Sequence, residues 1–346
     1  MTLPTGHTIR PFDYSDGDYA TAVALENAVF PEYPSTVAEW RHWEASREAK
    51  CHHERHLVFA PDGTAVASAS ASHNAWTFHP RRLSLGISVH PDHRQKSLGA
   101  ALYAHLRESI ARFDPIGLRG DAREDQPVSR AFLEHRGFAE VQRDWENHLD
   151  LSTYDDAPFA GRVERVVEGG IRIATFRELE AEDPDVWRNL YEMHEEIARD
   201  VPSPDPHTAI DHDTWVKRVR DNPNLMPDGY FLALDGGRYV GVSNLWRSQA
   251  DDTFIETGLT GVRRTHRRRG IALALKLRAL DYARGQGFRK VKTWNERGNE
   301  GMLAINEALG FKKQPAWITY ALELQPDPDA PAAGGGAAGV ERAATA

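Results

Sequence analysis

GVRRTHRRRGIALALKLRA, residues 261–279, sets five arginines (Arg263, Arg264, Arg267, Arg268, Arg269) ahead of a glycine and an apolar run. From Thr257 to Leu280 there is no acidic residue, in a chain whose formal net charge is −9. The preceding TFIETGLTGV has strand character. The following GIALALKLRALDYARGQG reads as a helix, with Leu273, Leu277 and Leu280 on one stripe and Gly285 and Gly287 as stop signals. The arginines therefore fall on a turn that feeds a helix N-terminus. Unpaired backbone N–H groups and the helix dipole favour an anion there. Gly270 admits a phosphate close to the backbone, and arginine side chains cover its charge. The spacing predicts a pyrophosphate cradle. It is not a nucleotide-triphosphate loop, because GxxxxGK[ST] is absent.

The same stretch has an earlier counterpart, SVHPDHRQKSLGAALYAHL (88–106), displaced by 173 residues from Val89 to Val262. EHRGFAEV (134–141) and EALGFKKQ (307–314) keep that spacing, as do VFAPDG (58–63) and FLALDG (231–236). Further upstream the register slips, and TIRPF (8–12) pairs best with RIATF (172–176). Three matches at one spacing indicate a duplication.

Each copy opens with a short strand followed by helical segments such as DYATAVALENAVF (18–30) and DVWRNLYEMHEEIARD (185–200). A hairpin with an Asp-Gly turn comes next, then a strand ending at the valine, a helix, a strand (PIGLRG; KVKTWN), a helix and a closing strand (WENHLDL; AWITYALEL). Strands interleaved with helices make the fold α/β. The expected division is a first domain over 1–152, a linker over 153–170 with turn residues and one short helix, a second domain over 171–325, and a disordered Pro/Gly/Ala tail over 326–346.

The whole chain sets the limits on function. Its 346 residues suit two domains of about 150 residues each. No stretch approaches the roughly 20 apolar residues that span a bilayer. The opening MTLPTGHTIRPFDYSDGD lacks a basic stretch before an apolar core, so no export signal and a cytoplasmic location are expected. Cys51 is the one cysteine, and HHERH (52–56) lacks a helical ligand pair, so no metal site is expected. An acidic chain without aromatic residues interleaved in its basic run is a poor nucleic-acid binder.

Arg267, Gly270 and Ala272 form R-x-x-G-x-A after a strand ending in valine, and Asn299 stands eleven residues before Gly310-Phe311. Both motifs resemble those of the GNAT-type N-acetyltransferases, and the resemblance covers nearly the whole chain twice. It implies two tandem GNAT folds, each a mixed, mostly antiparallel sheet with a splayed parallel pair and flanking helices. It also implies acetyl-CoA as cosubstrate. Thr260, Gly261 and Val262 would hold the acetyl and pantetheine, the turn Arg267–Arg268–Arg269–Gly270–Ile271–Ala272 the pyrophosphate, and Asn299 the pantetheine arm. Glu256, six residues before Val262, matches the family's general-base position. The alternatives for it are a solvent-facing strand residue or a clamp for the acceptor's ammonium. Glu195, Glu196 and Asp213 are the next candidates for the base. Asn306 stands on the cofactor side, where many members carry an acid tyrosine. A thiol of pKa near ~8.5 scarcely needs that proton.

In the first copy serine (Ser97) replaces the turn glycine, Leu83 matches Glu256, and Gln126 and Leu133 match Asn299 and Asn306. Leucine is no base, so the first copy is expected to be structural or acceptor-shaping. Trp215, Trp294 and Trp317 are candidates for an acceptor pocket or for the core. The expected activity is acetyl transfer from acetyl-CoA to a primary amine of a small molecule, and the acidic chain suits a cationic acceptor such as a polyamine or aminosugar. The expected protein is a monomer or homodimer with no nucleic-acid or membrane partner. The rival readings are a non-catalytic acyl-CoA sensor or scaffold, and an enzyme distantly similar to mycothiol synthase-like tandem acetyltransferases.

Overall fold

The computed structural model describes residues 3–328; of the tail expected to be disordered, residues 329–346 lie outside the described residues. The first half runs β1 (Thr8–Pro11), α1 (Asp16–Val29), α2 (Val37–Ala45), β2 (His53–Phe59), β3 (Ala65–Ser72), β4 (Arg82–Val89), α3 (Leu98–Ser109), β5 (Gly117–Arg123), α4 (Pro127–Glu134) and β6 (Ala139–Asp150). After α5 (Arg162–Glu168) the second half begins with β7 (Ile171–Thr175), α6 (Phe176–Glu182), α7 (Val186–Ala198), α8 (His212–Arg220), β8 (Leu225–Asp235) and β9 (Arg238–Arg247). It continues with β10 (Phe254–Val262), α9 (Ile271–Gly285), β11 (Lys290–Glu296), α10 (Glu300–Ala308), β12 (Lys312–Lys313) and β13 (Trp317–Glu323). The duplication is thus visible in three dimensions, and β5 and β11 keep the 173-residue spacing at both ends.

All strands share one mixed sheet in the order β1-β2-β3-β4-β5-β13-β6-β11-β10-β9-β8-β7, with β12 beside β6. The parallel pairs are β4 with β5 and β10 with β11, and their neighbours are antiparallel. The α/β class, the mostly antiparallel sheet and the parallel pair in each copy are therefore as expected. The closing strands trade places. β6 ends the first half but pairs with β11 from Asp144 to Asp150, and β13 ends the second half but pairs with β5 from Trp317 to Glu323. The open edge of each parallel pair is thus covered by the other half's closing strand, and β6 and β13 also pair with each other, joining the halves in one sheet.

Helices cover both faces. In the second half one face packs α9 and α5 around Leu275, Leu280 and Ile255, and the other packs α6, α7 and α8 around Leu190, Trp215 and Leu232. The leucine stripe expected for α9 is too narrow. Ile271, Ala274, Leu275, Ala279 and Ala283 are also buried, because the helix lies in the core under α5, whereas Leu273 is only part-buried. The segment joining the halves is packed as well, with Val166 of α5 and Phe159 set against the same core.

Candidate active site

The register of β10 against β9 steps from Thr257 opposite Leu245 to Thr260 opposite Ser243. One extra residue on β10 makes a bulge at Gly258 and Leu259. Glycine is required there: a Cβ on Gly258 would come within 2.4 Å of Asn244 Oδ1 and Trp246 Nε1. β10 pairs with β11 only from Phe254 to Glu256, with Glu256 beside Lys292 as the last rung. Beyond it the strands part, so the backbone of Thr257 to Val262 faces a wedge that β11 does not close.

The bulge corrects one equivalence. β3 and β4 pair from Ala67–Val89 to Ser72–Ser84 without a step. The rung beside Arg119, the residue matching Lys292, is Ser84. Glu256 therefore corresponds in space to Ser84, not to Leu83, which is buried in the core. Ungapped alignment cannot see a one-residue bulge. Neither residue is a base.

At the other end of β10, Arg268 (φ 65°) and Gly270 (φ 79°) adopt left-handed backbone and turn the chain into α9. Arg267 Nε donates to the Val262 carbonyl at 3.0 Å, tying the turn to the strand end. Arg264 and Arg267 share the Asp200 carboxylate, whose pKa they hold below the usual range. Arg269 reaches Asp235 at 3.1 Å, and exposed Arg268 makes no hydrogen bond or ion pair among the described residues. Buried Arg263 is bound to Glu196 and to the Tyr239 carbonyl, so it is a structural residue. Ile271 is buried at the start of α9, with Ala272 half-buried beside it. The turn suits an anion such as a pyrophosphate, with backbone N–H groups and three partly exposed guanidinium groups near one helix N-terminus.

Asn299 caps α10, its Oδ1 accepting from Met302 N at 3.3 Å. Asn306 is 1% exposed; its Nδ2 donates to Asn295 Oδ1, while its own Oδ1 has no partner among the described residues. No group of three or more metal-ligating side chains occurs among the described residues.

Glu256 opens on a cavity of 330 Å³ walled by aromatic rings and amides. Burial raises its carboxyl to about 7, with Lys292 pulling the other way. A carboxyl so placed changes protonation near neutrality, as a base for an amine must. Trp215, Tyr230 and Trp246 come from the second half, and Trp43 and Trp76 from the first. Thr208 N donates to the Trp76 carbonyl at 2.7 Å, Arg218 to the Ser46 carbonyl at 2.9 Å, and Asn224 Nδ2 to Glu39 Oε1 at 2.8 Å. That carboxylate can only accept, so the Asn224 amide nitrogen must face it and its oxygen is left without a partner.

Of the tryptophans singled out by sequence, Trp215 lines this cavity while filling the core, Trp317 lines a cleft in the first half, and Trp294 lines neither. Trp43, Trp76, His194 and Asn244 went unnoticed, since none sits in a motif. The alternative bases are otherwise engaged. Glu196 holds Arg263, Glu195 is buried on His207 at 3.0 Å, and Asp213 is an exposed residue beside His212. The first half carries its own cleft of 310 Å³ between β4 and β5, lined by Arg94, Gly99, Tyr103, Leu133 and Phe138.

Comparison with known proteins places this geometry. The model of the acetyltransferase (GNAT) family matches residues 22–138 and again 187–311. A mycothiol acetyltransferase of Thermobispora bispora is 26% identical over 238 residues, 68% of this chain and 74% of that protein. Another, from Nocardiopsis dassonvillei, is 26% identical over 329 residues, 90% of this chain and 92% of its own length. A tandem GNAT protein from the clavulanic acid biosynthesis pathway superposes with a TM-score of 0.71 at 19% identity, covering 93% of this chain and 99% of its own.

Proposed function

The chain belongs to the acetyltransferase (GNAT) family as an acetyl-CoA-dependent N-acetyltransferase, and from that premise we propose that its second half catalyses transfer to a primary amine of a small molecule. The bulge carries this reading. It leaves Gly258 and Leu259 out of the ladder where β10 and β11 have parted, two and three residues past Glu256. Backbone N–H groups there can meet the carbonyl oxygen on which charge develops, and Glu256 can take the ammonium's proton. The first half has neither bulge nor carboxylate at the matching rung. When bound, acetyl-CoA supplies the thioester; Arg267 to Ala272 would hold its pyrophosphate, and Asn299 and Asn306 would contact its arm.

The charged groups lining the cavity are Glu256 and Arg218. That pair suits an acceptor with one ammonium better than a polyamine. A second reading, favoured by the relatives' name, is mycothiol acetyltransferase activity. Thiol release from acetyl-CoA, followed across a panel of amines that includes the acceptor of mycothiol acetyltransferases, separates the two.

Two further results are expected. Trp76→Ala removes a ring that the first half lays on the cavity. It raises the acceptor KM about tenfold, in keeping with loss of a buried aromatic contact, and leaves acetyl-CoA affinity unchanged. An unaltered KM removes the first half from acceptor recognition. Reversing charge at Arg94 and Lys96 leaves kcat largely intact, whereas the same change at Arg267 and Arg269 does not. The opposite pattern in steady-state kinetics moves catalysis to the first half.

A further inference from the structure

Lys276 is 2% exposed on α9, yet it has no counterion among the described residues. Its Nζ stands 5.3 Å from the centre of the Phe311 ring, and it makes no hydrogen bond or ion pair among the described residues. The elements packed against α9 carry carboxylates at Glu164 and Glu168 (α5), Asp228 and Asp235 (β8) and Glu256 (β10), and none of them pairs with it. Burial alone acts on its titration and holds its ammonium down to about 8. A desolvated ammonium without a partner is costly, and an oxygen brought to it would offset that cost.

The internal duplication supplies the counterparts of Lys276 and its neighbours. At the 173-residue spacing, Lys276, Asn306 and Phe311 match Tyr103, Leu133 and Phe138, and all three of these line the open cleft of the first half. The fold is content with tyrosine and leucine there. In the second half the same places carry an unpaired ammonium and, in Asn306 Oδ1, a buried acceptor without a donor. One lacks an acceptor and the other lacks a donor, on the two helices, α9 and α10, that flank the wedge.

We propose that Lys276 and Asn306 form a ligand-binding pair beside the wedge between β10 and β11, Lys276 donating to an oxygen of the acyl-CoA arm and Asn306 Oδ1 accepting from one of its amide N–H groups. This rests on the reading that the second half binds acetyl-CoA. An ammonium that gains an oxygen partner holds its proton to higher pH. Binding near pH 8.5 therefore takes up protons in the wild type.

Titration calorimetry with acetyl-CoA, in buffers of different ionisation enthalpy, tests this beside thermal melting of the free protein. Lys276→Met raises the Tm of the free protein, because an uncompensated buried charge is gone. It weakens acetyl-CoA binding about tenfold, as expected for a lost charged hydrogen bond, and abolishes the proton uptake. Should the methionine variant not fold, Lys276→Gln carries the same expectation for affinity and protons. Unchanged affinity with unchanged proton uptake overturns the proposal. If the wild type binds no acetyl-CoA, or if Gly270→Val leaves its binding untouched, the coenzyme assignment itself has failed.

Discussion

Glu256→Gln lowers kcat by roughly 10²-fold, the usual scale of a general-base contribution, while acetyl-CoA affinity stays as it was. An amine of pKa near ~10 is almost wholly protonated at neutrality, and only its neutral form attacks. Glu256 lines the aromatic-walled cavity with its carboxyl raised to about 7, so its basic form prevails above that pH and is lost below it. In the wild type, kcat/KM therefore climbs as pH rises through about 7. Glutamine keeps the shape and cannot take a proton, so this limb vanishes and only the amine's own ionisation remains. Higher pH then partly rescues the variant. If Glu256→Gln keeps wild-type kcat from pH 6 to 9 with a verified acceptor, Glu256 is structural. Buried Glu195, which lies behind His194 on the cavity wall, becomes the next carboxylate to test.

Gly270→Val weakens acetyl-CoA binding at least tenfold, about 1.4 kcal/mol. Gly270 has φ 79°, a left-handed conformation that a β-branched residue adopts only under strain of order 1–3 kcal/mol. No neighbour lies closer than 3.5 Å to a Cβ placed there, so crowding within the protein is not the cause. The effect comes from the tilted turn and from a side chain standing where a phosphate meets the N-terminus of α9. Gly270→Ala, smaller but still strained, falls between the two. Calorimetry on all three proteins, with melting curves to confirm folding, decides it. Unaltered affinity in Gly270→Val moves the pyrophosphate away from this turn.

Much of the molecule was legible in short stretches. The 173-residue repeat, the hairpins and the α/β class follow from patterns a few residues long, because side-chain periodicity and turn chemistry act locally. The arginine turn was legible for the same reason: Arg267 to Ala272 are contiguous, and a helix start needs no distant partner. Even so, the run of arginines reads differently in place. Arg263 braces Glu196, Arg264 and Arg267 lean on Asp200, and Arg269 on Asp235. Those acids are 34 to 67 residues away, beyond the reach of any local pattern.

By itself the sequence determined a duplicated α/β chain with an arginine-rich turn and glycine before a helix in the second copy, a serine in that glycine's place in the first, and a carboxylate six residues before the second copy's valine. The tertiary structure alone decided three things. The closing strands cross over, because a backbone ladder accepts any strand of suitable length and the choice between β6 and β13 lies in packing. The bulge at Gly258 moves Glu256 opposite Ser84's place instead of Leu83's, because an extra residue shows only when two strands are paired. The aromatic-walled cavity beside Glu256 takes Trp43 and Trp76 from one copy and Glu256 from the other, residues 180 and more positions apart. Only folding brings such groups together, since their contact is made by the sheet that both halves share.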